Sequence, residues 1–302
     1  MLREQNTSLC PVFHYWYLFD LKHCESFNFI IIIILCSIQQ IVVLAVLKRN
    51  GSWRTLFSLT PPRLRLSCSA PASVCVALTV LYTGVDVAGS KVTLSDSIKL
   101  LGVTLDSTLS FDRHVSDIVC SCYFHIRALK HIRAYMSLDT AISVGVCIVA
   151  TRLDYCNSLL YGTSNRNLDK LQRIQNLLAR TVSNASWSDN ATEVTRSLHW
   201  LPIRQRIQFK MGLLGFKAKH SLLPPYLQDI LSSHHPTRQL RSSSAHQFFK
   251  PAVNSNFASR AFSVSVPSVW NSLKPNLCSI DSSASFKSQL KTTLFLSAYG
   301  ST

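Results

Sequence analysis

The residues with the clearest chemical potential are cations at helical spacing. Arg127, Lys130 and Arg133 recur at three-residue steps, and Lys170, Arg173 and Arg180 share one side of a later helical pattern. A third group, Arg204, Arg206 and Lys210, follows further on. A row of guanidinium and ammonium groups on the outer side of a docked helix suits phosphate oxygens, giving salt-sensitive binding with little base preference. The competing use is an ordinary solvated face that favours solubility. Tyr123, Phe124, Tyr135 and Tyr155 lie near these rows and are expected mostly in the core, with base stacking as the alternative.

The balance of the whole chain points the same way. Lys and Arg number 31 against 15 acidic residues, a formal charge of +16 over 302 residues. The excess is spread out, with 7 basic and 3 acidic residues before Asp86 and 24 and 12 from it onward, so no polybasic tail accounts for it. RNA, DNA or an anionic membrane surface are the partners such a balance suits.

Other chemistries find less support. The cysteines at 10, 24, 36, 68, 75, 120, 122, 147, 156 and 278 lack the paired short spacings of zinc ribbons or knuckles, so neither a metal nor another cofactor is expected. Cys122 falls in register with Val115, Ile118, Val119 and Ile126, which reads as packing. His114, His125, His131, His199 and His220 have no adjacent Ser, Cys or Asp arrangement that would specify a nucleophile and its base. Asp96, Asp106, Asp112, Asp117 and Asp154 stand singly, as helix caps and surface pairs do. No catalytic residue is assigned.

The elements that must hold the cations follow from apolar periodicity. Around Gly102, Ile98, Leu101, Val103 and Leu105 fit a short β element. From Asp112, a candidate N-cap, Val115, Ile118, Val119, Cys122, Ile126 and Leu129 mark an amphipathic helix. A second helix, capped by Ser137 or Asp139, packs through Ile142, Val146, Val149 and Leu153 and ends near Tyr161 and Gly162. A third over 167–183 turns Leu168, Leu171, Ile174, Leu178 and Val182 inward. A fourth over 203–220 carries Ile207, Met211, Leu214 and Ala218 and is the most basic segment. A short helix at YLQDIL, a Ser- and His-rich loop up to Ala245 and a terminal helix at SFKSQLKTTLF complete the reading.

Upstream the texture differs. Residues 27–47, from Phe27 to Leu47, read FNFIIIIILCSIQQIVVLAVL, 21 residues without a charge, followed at once by Lys48 and Arg49. That length can span a bilayer core of about 30 Å, with the basic flank placing its C-terminal side in the cytoplasm. Asn28, Ser37, Gln39 and Gln40 oppose insertion. Residues 48–85, with Pro61, Pro62 and Pro71, read as a poorly ordered linker.

From Asp86 to Ser297 the chain resembles the C-terminal, thumb-bearing end of a non-LTR (LINE-type, jockey-like) retrotransposon reverse transcriptase. The likeness is carried by eight collinear blocks: IKLLGVTLDSTLSFDRHV (98–115), RLDYCNSLLYG (152–162), LDKLQRIQNLLAR (168–180), HWLPIRQRIQFK (199–210), LLPPYLQDIL (222–231), LRSSSA (240–245), ASRAFSVSVPSVWNSLK (258–274) and SFKSQLKTTLF (285–295). The resemblance implies a mainly α fold: an end-of-palm-like β element at 86–111, centred on about 87–106, a three-helix thumb-like bundle at 112–183 and a mixed helical region at 184–302. Residues 1–26 are unassigned and 27–47 are expected as a lone, transmembrane-like helix.

It also implies that helices 112–183 grip a template–primer duplex, with Arg127, Lys130, Arg133, Lys170, Arg173 and Arg180 as the best phosphate contacts and Arg204, Arg206 and Lys210 as a second group. Polymerisation in that family uses carboxylates of an aromatic-x-Asp-Asp turn to hold two Mg²⁺ ions. No Asp-Asp pair occurs here, so no polymerase activity is expected and Mg²⁺ belongs only to the intact parent enzyme. The expectation is a reverse transcriptase remnant with nonspecific RNA or DNA affinity. Two alternatives stay open: a single-pass membrane protein with a basic cytoplasmic domain over 48–302, and a non-functional, mispredicted or degraded reading frame from a repeat, whose first 85 residues were never selected to accompany the rest.

Overall fold

The computed structural model describes residues 84–87, 90–93, 96–234 and 247–300. The expected membrane helix at 27–47 and nearly all of the 48–85 linker lie outside these residues. Among the described residues no helix is long and apolar enough to cross a membrane. The chain divides into two compact units, one ending at Leu109 and one running from Ser110.

The described residues of the first unit form β structure. Strands β1 (Gly84–Val87) and β2 (Ser90–Thr93) pair antiparallel, as do β3 (Ser97–Leu100) and β4 (Val103–Asp106). Leu101 and Gly102 join β3 to β4 with φ of 45° and 81°, the two left-handed residues of a two-residue type I′ turn. Gly102 takes that conformation without steric cost, and the turn fixes the register that sets Ile98 opposite Leu105. The single β element expected at about 87–106 is therefore two separate two-stranded sheets.

The second unit is helical. It contains α1 (Asp112–Ile132), α2 (Leu138–Gly145), a π turn (Val146–Ala150) leading into α3 (Thr151–Asp154), then α4 (Asn165–Ser183) and α5 (Ala191–Ser197). It continues with α6 (Ile203–Lys219), α7 (Pro225–Gln228), α8 (Phe262–Trp270), α9 (Pro275–Cys278) and α10 (Ser283–Tyr299). The fold is mainly helical, as the periodicity indicates.

Local chemistry sets the helix ends. Ser137 and Ser164 accept from the backbone N–H groups of Thr140 and Asn167 and start α2 and α4. Asn184, in the left-handed region, ends α4, and its N–H and that of Ala185 reach back to the carbonyl of Arg180. Asp112 is not the cap of α1. Phe111 holds that position with φ 62°, while Asp112 sits in the first turn, where its carboxylate accepts from Asn167 Nδ2 at 2.7 Å.

The expected inward faces of α1, α2–α3 and α4 are largely met: Val115, Cys122, Ile126, Leu129, Ile142, Val149, Leu153, Leu168, Leu171, Ile174, Leu178 and Val182 are buried. Two hydrogen bonds show that α1 and α4 run parallel. Asn167 meets Asp112 near their N-terminal ends, and at the other end Arg133 Nε donates to the Val182 carbonyl at 2.7 Å.

Helix α6 departs from expectation. Only its first half keeps a face in water, at Arg204 and Gln208; Ile203, Arg206, Ile207, Phe209 and the run from Met211 to Phe216 are all buried. It packs against α8 and α10 and against the 3₁₀ turn Asn157–Leu160. Trp270, Phe216 and Phe286 are essentially inaccessible and stack together, with Phe216 and Phe286 centroids 4.6 Å apart. Gly212 and Gly215 permit the approach: a Cβ on Gly215 would lie 2.6 Å from Trp270 Cε3. A stretch that is apolar on all sides, as Met211 to Phe216 is, belongs at the centre of a core, and the lysines beyond it reach out at the end, Lys219 Nζ donating to the Cys278 carbonyl at 2.9 Å.

Candidate nucleic-acid interface

The C-terminal ends of the parallel pair α1 and α4, with the loop that follows α4, enclose an open groove of about 860 Å³. Its walls include Tyr123, Phe124, Arg127, Lys130 and Arg133 from the α1 side, and Arg180 and Trp187 from the α4 side. The periodicity of α1 explains half of this. Cys122, Ile126 and Leu129 point into the core, which turns 123, 124, 127 and 130 outward. All four of those side chains are exposed.

The cations here have different duties. Arg133 is largely committed to structure: beside its bond to the Val182 carbonyl in the last turn of α4, its Nη1 donates at 2.8 Å to the carbonyl of Met136, just past the 3₁₀ turn that follows α1. Arg180 lies with its guanidinium 4.9 Å from the centroid of the Trp187 ring, and its Nη2 donates to the Asp189 carbonyl at 3.0 Å. Arg127 and Lys130 enter no ion pair among the described residues. Lys130 also complements the negative end of α1, a role it would keep with or without a ligand.

The remaining expected contacts lie elsewhere. Arg173 is exposed and Lys170 is half-buried, with Nζ 3.5 Å from Ser116 Oγ; neither lines the groove. Arg204 is exposed and donates to Asn165 Oδ1 at 3.0 Å. Lys210 is half-buried on α6. Arg206 must be removed from the contact group. It is 2% exposed, donates from Nη1 to Asp154 Oδ2 at 2.8 Å and from Nε to the Leu201 carbonyl at 2.8 Å. Its charge is spent inside the fold, because α6 is central.

The aromatic residues also depart from expectation. Tyr123, Phe124 and Tyr135 are exposed, Phe124 to 71% and Tyr135 to 90%; of the four named, Tyr155 alone is half-buried. Trp187, which the sequence reading passed over, is 79% exposed. Its signal was a single large aromatic in the polar run SNASWSDN, with no apolar neighbour to pack against. A tight turn holds it: Ser186 N donates to Asp189 Oδ2 at 2.7 Å, and Asp189 N to the Ser186 carbonyl at 3.2 Å.

Thiol chemistry is absent from this groove. Behind it, burial pushes the Cys122 thiol up to about 11, only partly offset by Arg152, so the sulfur is neutral and inert near pH 7. Among the described residues no group of His, Cys, Asp and Glu is placed to hold a metal ion. What the groove can offer a ligand is positive charge, ring faces and little else.

No family model and no solved structure matches the chain. Over 108 residues it is 33% identical to the RNA-directed DNA polymerase from mobile element jockey of Drosophila funebris. That match covers 34% of this chain and 12% of the polymerase, so the chain spans a small part of that protein's length. The chain is thus related to a LINE-type retrotransposon reverse transcriptase.

Proposed function

We propose that the chain is a reverse transcriptase-derived piece from beyond the catalytic palm, whose helices α1 to α4 form a thumb-like bundle that holds RNA or DNA duplex through its phosphates and does not itself polymerise. The observation that carries this reading is the convergence of Arg127, Lys130 and Arg180 from two parallel helices onto a single open groove. At the end of α4 the Val182 carbonyl, which would oppose a polyanion, is engaged by Arg133, and those of Arg180 and Thr181 by the backbone of Ala185 and Asn184. Lys170, Arg173 and Arg204 would extend the footprint.

The proposal of no catalysis rests on the sequence in hand, which has no Asp-Asp pair to seat two Mg²⁺ ions. The test pairs two assays on the full chain. Duplex binding measured at about 50 mM salt should be clear and should fall steeply as salt rises. Primer extension with Mg²⁺ and nucleotides should give no product. Absence of binding at low salt overturns the binding role, and an extended primer overturns the second.

A further inference from the structure

The groove carries more than its phosphate contacts require. Phosphate binding needs cations; it has no use for three large rings at the same place. Yet Tyr123, Phe124 and Trp187 all line the groove, at 48%, 71% and 79% exposure. Leaving so much apolar surface in water forgoes stabilisation that burial would give, about 25 cal/mol for each Å². Trp187 is moreover held outward by the Ser186–Asp189 turn, with one side of its ring system occupied by Arg180. Arg180 is itself fixed by the Asp189 carbonyl, so ring and cation form one preorganised platform.

Taking as its basis the nucleic-acid role proposed above, we infer that this groove takes unpaired nucleotides, with a base stacked on Trp187 or Phe124 and the adjoining phosphates on Arg127 and Lys130. Rings accept the π-face of any base, so the site is tolerant of sequence, and only an unpaired base can present that face. A blunt duplex keeps its bases stacked on one another and can use the cations alone. Single-stranded RNA or DNA, or an overhang at a duplex end, uses both. Charge complementarity selects a polyanion over an apolar peptide for the same surface.

The experiment is a fluorescence titration of the full chain at about 50 mM salt with three probes of equal length: oligothymidylate, an abasic oligonucleotide of the same charge, and a blunt duplex. Oligothymidylate is expected to bind about tenfold tighter than the abasic strand and to quench tryptophan emission. Trp187→Leu should remove the quench and narrow the gap between oligothymidylate and abasic affinities several-fold, whatever it does to the phosphate contact of Arg180 that both strands share. Phe124→Ala, at a second exposed position, should narrow the same gap. Equal affinity for the thymidylate and abasic strands, which carry the same charge, would overturn the inference while leaving the phosphate-binding role standing. Failure of all three probes to bind would overturn both.

Discussion

Arg206 of α6 reaches across to Asp154 at the end of α3, Nη1 to Oδ2 at 2.8 Å, with the arginine only 2% accessible. The pair ties the first helices of the unit to its central helix, and Gln175 donates to the same Leu201 carbonyl that Arg206 uses. Removing the carboxylate leaves a buried guanidinium without its counter-charge. Asp154→Ala is expected to cost about 3–5 kcal/mol in urea denaturation. Replacing both partners together, Asp154→Leu with Arg206→Met, should cost much less than the single change, and an equal loss would show that the pair is not the source of the penalty.

Two glycines one turn apart on α6 make a contrasting prediction. Gly215→Ala gains helix propensity of about 1 kcal/mol but drives a Cβ to 2.6 Å from the inaccessible Trp270 ring. Overpacking should prevail, for a net loss of about 1–3 kcal/mol. At Gly212 the nearest atom is Leu290 Cδ2 at 3.0 Å, the end of a side chain that can shift, so Gly212→Ala should be close to neutral. Thermal melts of the two variants separate the cases, and a Gly215→Ala protein as stable as the parent would contradict the packing described for α6 and α8.

Cys120 and Cys122 are two residues apart on α1 and should differ sharply in reactivity. Cys120 is exposed, whereas Cys122 is buried with its thiol held up to about 11. A thiol-directed reagent at pH 8 is expected to label Cys120 and the exposed Cys147 in the folded chain and to reach Cys122 only in denaturant, as read by mass spectrometry. The linkage has a definite sign. The unfolded thiol, near 9.0, loses its proton before the folded one, so stability from this site is intact below about pH 9 and declines as pH rises toward 11.

The functional split among the arginines gives a further test. Arg127→Ala and Lys130→Ala should each weaken nucleic-acid binding and lower the slope of log affinity against log salt by about 1, with no loss of stability for Arg127→Ala and a loss under about 1 kcal/mol for Lys130→Ala, whose charge complements the end of α1. Arg133→Ala should instead destabilise the protein, since it strips donors from the Val182 and Met136 carbonyls. A stable Arg133→Ala protein with impaired binding would reverse the assignment.

The sequence was most legible where a helix has one wet face. The period of Leu168, Leu171, Ile174, Leu178 and Val182 reads directly as the inner side of α4, and the outward placement of Arg127 and Lys130 follows from their offset against Cys122, Ile126 and Leu129. It was least legible in α6, where apolar residues at 207, 211, 214 and 218 suggested one face, yet the intervening Phe209, Leu213 and Phe216 are buried as well. Nothing local distinguishes a surface arginine from one buried against a carboxylate 52 residues away, so Arg206 was misplaced. The groove itself depends on α1 and α4 running parallel and on the loop bearing Trp187 folding back over Arg180, relations of tertiary structure that spacing along the chain does not encode.

The central claim is that Arg127, Lys130 and Arg180 make one phosphate-binding groove, and its most direct measure is the affinity of the full chain for nucleic acid between about 50 and 200 mM salt, beside the triple Ala variant. The account predicts a steep negative slope for the parent protein, reduced by about 3 in the variant, which should still fold although it loses the Arg180 contacts to Trp187 and the Asp189 carbonyl and the Lys130 charge at the end of α1. Identical slopes in parent and variant, or affinity indifferent to salt, would contradict it.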